Sequence, residues 1–199
     1  MDIHDKINFL IAGTSLHFHS FVWKVYSFFR KGYFRMIGGV CGKNVIFQGK
    51  CEFWKDYGSR MVIGDNCSFN SKSRFNHIGM NHRCILSTMD PGAELIIGNN
   101  VGVSAASITA FKSVRIGNNV RIGANCVIMD GDFHLDDPRV GAPKPVVIGD
   151  NVWLGYGVIV QKGVTIGENS VIGMNSVVTH DIPANVMAAG MPAKVIKSL

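Results

Sequence analysis

From residue 148 onward an aliphatic side chain recurs at every sixth position: Ile148, Leu154, Val160, Ile166, Ile172 and Val178. Gly149, Gly155, Gly167 and Gly173 follow four of them. A period of six is neither the 3.6 of an amphipathic helix nor the 2 of a half-buried strand. It predicts a solenoid whose coils have three short flat sides, each turning one aliphatic residue into a prism. That residue stacks on its equivalent eighteen positions later. The Gly, Asn or Asp that follows is expected to make the corner, where a positive φ is needed and a Cβ is costly.

The repeat continues upstream in shifted registers. Ile116, Ile122 and Ile128 form one run; Ile85, Pro91, Ile97, Val103 and Thr109 form another, joined to it by one extra residue. Val45, Cys51, Tyr57, Ile63, Phe69 and Phe75 make the earliest, with a disturbance near 76–84. Three sides per coil give about seven coils. The expected organisation is an N-terminal cap over 1–40, a parallel β-helix over 41–185 with an extruded loop at 129–147, and a short tail over 186–199.

Composition changes this picture little. Of 199 residues, 47% are hydrophobic and 17% charged, which suits one domain with a sizeable core. The formal charge of +6 favours anionic partners, but no basic stripe interleaved with aromatics marks a nucleic-acid surface. A phosphorylated cofactor or an anionic membrane surface fits better. Cys41, Cys51, Cys67, Cys84 and Cys126 include no CxxC pair and read as reduced structural residues. The pattern of a cleavable signal peptide is absent, so a cytoplasmic location is expected.

The first 40 residues differ in kind. Phe9, Phe18, Phe21, Trp23, Tyr26, Phe28 and Phe29 crowd a stretch that also holds Lys24, Arg30, Lys31 and Arg35. Residues 7–29 are long enough to span a bilayer, but Asn8, His17, His19 and Lys24 oppose a stable span. Two compatible readings remain. One is a helical cap closing the open end of the solenoid. The other is an interfacial helix in which residues 7–30 make a peripheral membrane contact.

The repeat breaks most strongly between Ile128 and Ile148, where a step of twenty replaces a step of six. Gly131, Pro138, Gly141, Pro143 and Pro145 are loop chemistry. The excursion carries His134, flanked by Asp132, Asp136 and Asp137. An imidazole near a carboxylate is the usual general base at neutral pH, and Asp132 or a backbone carbonyl would orient it. A surface histidine in an acidic loop is the plainer alternative.

The stretch IGDNVWLGYGVIVQKGVTIGENSVIGMNSVVTHDIPANVMAAGMPAKVI resembles the C-terminal half of the hexapeptide acyltransferases. Within that group it is similar to the galactoside, maltose and antibiotic acetyltransferases, and still more to the sugar O-acetyltransferases of surface-polysaccharide clusters. The resemblance is specific over about 100–199; upstream it is little more than periodicity. It implies a left-handed parallel β-helix, an exception to the usual right-handed crossover. It also implies a homotrimer with three sites between subunits, acetyl-coenzyme A as donor, a sugar or glycan acceptor, and no metal.

Carried over residue by residue, the loop histidine that deprotonates the acceptor hydroxyl falls on His134. The tryptophan beside the pantetheine arm falls on Trp153. Tyr156 stands where relatives often have Ser; Met174, Thr179 and His180 continue the cofactor cleft. Lys194 and Lys197 occupy the tail positions that meet the nucleotide phosphates, with a charge but without the fork of Arg. Ser104 is a candidate acceptor-side or acetyl-side contact. Direct transfer to the hydroxyl follows, with no acyl-enzyme.

Other readings stay open. The catalytic half cannot separate a surface glycan from an antibiotic or small glycoside. A γ-carbonic-anhydrase-like zinc site needs three histidines, and only His77 and His82 are suitably spaced. A scaffold without catalysis would have no use for His134, Trp153 and the basic tail together.

Overall fold

Each six-residue unit hides two side chains, not one. Val152 and Leu154, Val158 and Val160, and Val164 and Ile166 are all at most 1% exposed. The second of each pair points along the mid-side of the coil, and the first seals the preceding corner. In the computed structural model, which describes residues 22–73, 76–134 and 136–199, this pattern builds a three-sided prism.

The first coil consists of β1 (Val40–Cys41), β2 (Ile46–Gln48) and β3 (Glu52–Lys55). The second holds β4 (Arg60–Ile63), β5 (Ser68–Asn70) and β6 (Ile85–Thr88); the third holds β7 (Glu94–Ile97), β8 (Gly102–Ser104) and β9 (Ser107–Ala110). β10 (Ser113–Ile116), β11 (Arg121–Ile122) and β12 (Val127–Met129) make the fourth. β13 (Val146–Ile148), β14 (Trp153–Leu154) and β15 (Ile159–Val160) make the fifth, and β16 (Thr165–Ile166), β17 (Val171–Ile172) and β18 (Val177–Val178) the sixth. A partial seventh bridges Ile182 to Ile166 and adds β19 (Val186–Gly190), on which β20 (Ala193–Ser198) folds back antiparallel. Every third strand pairs in parallel, giving three sheets that begin with β1, β2 and β3.

At the corner between the first and second sheets, the Gly after the aliphatic residue and the Asn two positions later answer different constraints. A Cβ on Gly98 would lie 2.6 Å from the carbonyl oxygen of Gly117 in the next coil, so close stacking of backbone excludes it. Asn66, Asn100, Asn119, Asn151 and Asn169 all sit at φ 58°, in the left-handed region that Asn tolerates best after Gly. Their amides stack as a ladder: Asn119 Nδ2 donates to Asn151 Oδ1 at 3.0 Å, and Asn151 Nδ2 to Asn169 Oδ1 at 2.9 Å.

Two parts of the upstream register differ from the sequence expectation. In the first coil the mid-side core residues are Phe47 and Phe53, while Val45 and Cys51 are the corner-sealing members of their pairs. Continuing by sixes from the wrong member puts Tyr57 inside, yet it is 95% exposed in the turn at 56–59. Pro91 is likewise an exposed turn residue, and Ile85 and Thr109 flank Leu86 and Ile108, which fill the core. Phe75 lies outside the described residues. The disturbance near 76–84 is an excursion over 71–84 at the corner between the second and third sheets.

Helix α1, described over 22–36, lies across the first coil. Ser27 Oγ accepts from Phe47 N–H at 2.9 Å, Arg30 donates to the Cys51 carbonyl, and the Phe34 ring meets Phe53 at 4.8 Å. Not every aromatic of this segment packs inward: Phe28 and Phe29 are 69% and 67% exposed. Residues of the predicted cap before 22 lie outside the described residues.

Gly98→Ala is expected to cost about 2 kcal/mol, because the coil beneath cannot give way without moving backbone. Gly32→Ala, in α1 with no atom within 4 Å of the added Cβ, should stabilise by about 0.5–1 kcal/mol. Urea denaturation of the two variants checks both signs.

Candidate active site

After β12 the chain leaves the prism at Asp130, two positions past the core residue Ile128. Its side chain is fully buried. Oδ1 accepts from Phe111 N–H at 2.6 Å; Oδ2 accepts from Lys112 N–H at 2.8 Å and Ser113 N–H at 2.5 Å. Three converging backbone donors form a nest that holds the carboxylate without a cation. The Asp130 carbonyl also accepts from Lys144 N–H at 2.7 Å, and Gly163 N–H donates to the Lys144 carbonyl at 2.9 Å. Both ends of the excursion are thus clamped to the prism.

Beyond the clamp, Gly131 passes under Phe111, where a Cβ would lie 2.8 Å from the ring. Phe111 meets Phe133 edge to face, with centroids 5.3 Å apart. Phe133 then walls a largely apolar groove of about 370 Å³ on the outer face of the third sheet, together with Trp54 and Met89. Ser87, Ser107 and Thr109 form part of its floor, and the Ser87 and Thr109 hydroxyls hydrogen-bond at 2.8 Å.

His134 follows Phe133 directly and is exposed. Its carbonyl accepts from Asp137 N–H at 3.0 Å, which folds the loop into a turn. Two of the three neighbouring acids are engaged elsewhere. Asp132 pairs with Lys162 at 2.5 Å, and Asp137 receives the Arg139 Nε–H at 2.9 Å. The Arg139 contacts hold the Asp137 carboxyl below the usual carboxylate range. Within one chain, Asp132 therefore serves Lys162 rather than the imidazole.

The remaining residues fall at separate places. Thr179 and His180 share the corner from which the loop departs, with Thr179 Oγ1 2.8 Å from His180 Nδ1. Tyr156 and Met174 line the opposite edge of the third sheet, and Ser104 ends β8 beside that edge. Tyr156 Oη accepts from Asn125 Nδ2 at 2.9 Å. Trp153, 57% exposed, stands on the outer face of the second sheet next to Arg121. Lys194 and Lys197 are exposed on β20. A single prism does not bring His134 to Tyr156 or Met174, because the third sheet lies between them.

All five cysteines are free and buried, and burial pushes the Cys126 thiol up to about 11. The Cys84 thiol is shifted the other way by its hydrogen bond with Cys51, but its side chain is fully buried. Asp130 and Lys162 were not singled out in the sequence. Asp130 occupies the place filled by Thr88 and Ala110 in earlier coils, both buried, and an acid in that phase was the available signal. Lys162 lies thirty residues from Asp132 and carried none.

Residues 145–180 match the bacterial transferase hexapeptide (six repeats), and 113–131 the hexapeptide repeat of succinyl-transferase. A Saccharomyces cerevisiae protein named as an acetyltransferase is 38% identical over 165 residues, covering 83% of this chain and 68% of that protein. The chain belongs to the hexapeptide-repeat acyltransferase family. Galactoside O-acetyltransferase of Escherichia coli K12 is 41% identical over 113 residues, 54% of this chain and 56% of that one. The chain thus spans about half of that relative's length, although it covers more of the yeast protein. The crystal structure of a maltose O-acetyltransferase from Clostridium difficile 630 superposes with a TM-score of 0.54 at 26% identity, over 92% of this chain and 85% of that chain. The family's left-handed parallel β-helix is the architecture of this hexapeptide acyltransferase as well.

Asp130→Ala strands three backbone N–H groups and should destabilise by about 3 kcal/mol or more. Limited trypsin digestion should then cut after Arg139 faster than in the wild type and well before the prism unfolds; Lys144 is followed by Pro145 and is not a trypsin site.

Proposed function

We propose that this family member is an acetyl-CoA-dependent O-acetyltransferase that acylates a sugar hydroxyl, of a surface glycan or of its lipid-linked or nucleotide-linked precursor. The observation that carries the proposal is the clamped excursion. The solenoid holds His134 at its surface, on a loop tied down at both ends and beside a groove of substrate size.

The chain's own groups suit the donor. Its diphosphate needs cations, and Lys194 and Lys197 are free on β20. Its pantetheine arm needs an apolar wall, and Trp153 and Met174 are both more than half exposed. The thioester supplies an activated acyl carbon. His134 takes the proton of the acceptor hydroxyl as the oxygen attacks that carbon, and a backbone N–H steadies the oxyanion. The proton then passes to the departing thiolate, so transfer is direct.

A complete site requires a second copy. His134, Thr179 and His180 stand on one edge of the third sheet, while Ser104, Tyr156 and Met174 stand on the other. A cleft holding both sets forms where these two edges of neighbouring prisms meet. Three such meetings close a ring, which makes the assembly a homotrimer with three sites. In that setting the neighbour supplies the group that orients the imidazole, since Asp132 is taken by Lys162. A second reading, a small-glycoside acetyltransferase, is favoured by the likeness to galactoside O-acetyltransferase.

His134→Ala should lower turnover by about two to four orders of magnitude while coenzyme A binding and assembly persist. Lys194→Ala with Lys197→Ala should instead raise the Michaelis constant for the thioester. Thioester cleavage followed against nucleotide sugars, lipid-linked sugars and free glycosides measures both and identifies the acceptor. A loss smaller than tenfold for His134→Ala removes it from the base role.

A further inference from the structure

Helix α1 has two faces of opposite use. Ser27, Arg30 and Phe34 are spent on the first coil. The opposite face presents Phe28, Phe29 and Met36, which are 69%, 67% and 77% exposed. Soluble surfaces rarely leave three such large apolar side chains together without a partner. Phe28, Phe29 and Met36 share a shallow hollow of about 540 Å³ with Tyr33 and two cations, Lys31 and Arg35. Lys24 adds a third charge one turn away. No Asp or Glu occurs anywhere between Asp5 and Glu52, so nothing in this segment neutralises them.

Charge decides what covers this face. A second copy of the same helix would bring Lys24, Lys31 and Arg35 against their own equivalents, and like charges at a desolvated contact repel. An apolar core ringed only by cations matches an anionic bilayer surface, where aromatic side chains enter the interface and Lys and Arg meet headgroup phosphates. The described part of α1, residues 22–36, is too short to cross a membrane, and no described helix is long and apolar enough to do so. We infer that the outer face of α1 is a docking site for an anionic lipid surface, with Phe28, Phe29 and Met36 inserted and Lys24, Lys31 and Arg35 against headgroup phosphates.

The geometry of docking follows from the fold. α1 lies across the end of the prism, so the membrane sits against the first coil and the solenoid axis stands away from it. The His134 loop leaves the fourth coil, three strand spacings or roughly 15 Å further along the axis. This inference does not depend on the chemistry assigned to His134. It differs from the expectation for residues 7–30 in excluding Ser27 and Arg30, which the prism occupies.

Flotation of the full chain with phosphatidylcholine vesicles, with and without phosphatidylglycerol, tests it. Binding should require phosphatidylglycerol and weaken with added salt. Phe28→Ser with Phe29→Ser and Met36→Ser should reduce it at least tenfold, as should Lys31→Glu with Arg35→Glu. The Ser set changes exposed side chains, so its thermal melting should hold within a few degrees of wild type. Lys31 is half-buried and Arg35 Nη2 donates to the Cys41 carbonyl at 3.2 Å, so the charge set is compared at a temperature where its melting curve shows it folded. Acetyl transfer to a soluble acceptor should be unchanged in both. Equal binding to neutral vesicles, or binding that survives both sets, would overturn the assignment. So would a fall in oligomer mass on the triple Ser substitution without any vesicle binding by the wild type, which would make the face a contact between copies.

Discussion

Successive coils of this protein meet backbone to backbone at their corners, and that contact fixes everything built on it. Strands of neighbouring coils lie about 4.8 Å apart. At the corners that Gly64, Gly98 and Gly123 make, that spacing leaves no room for a side chain: a Cβ there would come within 2.6 Å of the next coil. Once the corner is that tight, the chain must reverse two residues later through a positive φ, and Asn supplies it while its amide bonds to the Asn above. The inward aliphatic residues then have no choice of register. Packing and hydrogen bonding therefore specify the same stack, which is the consistency that makes a fold unique.

A lattice this regular makes its departures informative. The prism needs neither the excursion at 71–84 nor the one at 130–145 to close its core. The second is held by a buried carboxylate on three backbone N–H groups, a cost in desolvation that only fixed geometry offsets. Rigid support of a reactive side chain by a non-reacting neighbour is what catalysis by positioning requires. Helix α1 is the remaining departure. It closes the end of the stack with Phe34 and turns Phe28, Phe29 and Met36 outward, so one element both seals the prism and offers a surface.

The six-residue period made the coils from 116 to 178 readable, because Ile116, Ile122, Leu154 and Ile166 recur with a Gly beside them; at Thr109 the phase slipped by one, and Ile108 takes the core position. The first coil was misphased for a definite reason. Two positions in every six are buried, and when Phe47 and Phe53 occupy one and Val45 and Cys51 the other, hydrophobicity alone cannot say which faces the middle of the side. The loop that carries His134 was legible because a twenty-residue step interrupts a six-residue rhythm. The partner of Asp132 was not, since its pairing with Lys162 depends on how the loop folds back over the next coil. Nor could periodicity show that Ser104, Tyr156 and Met174 face a different edge from His134; that is a property of the closed prism.

The account's central claim is that His134 meets the donor thioester in a cleft completed by a neighbouring copy. A crystal structure of the assembly with coenzyme A bound measures this directly. The claim predicts an imidazole nitrogen roughly 3–4 Å from the site of the acceptor oxygen, close to the coenzyme sulfur, with Tyr156 or Met174 of the adjacent copy lining the same cleft. Coenzyme A held on one prism alone, with the His134 ring turned to bulk water far from its sulfur, would contradict it.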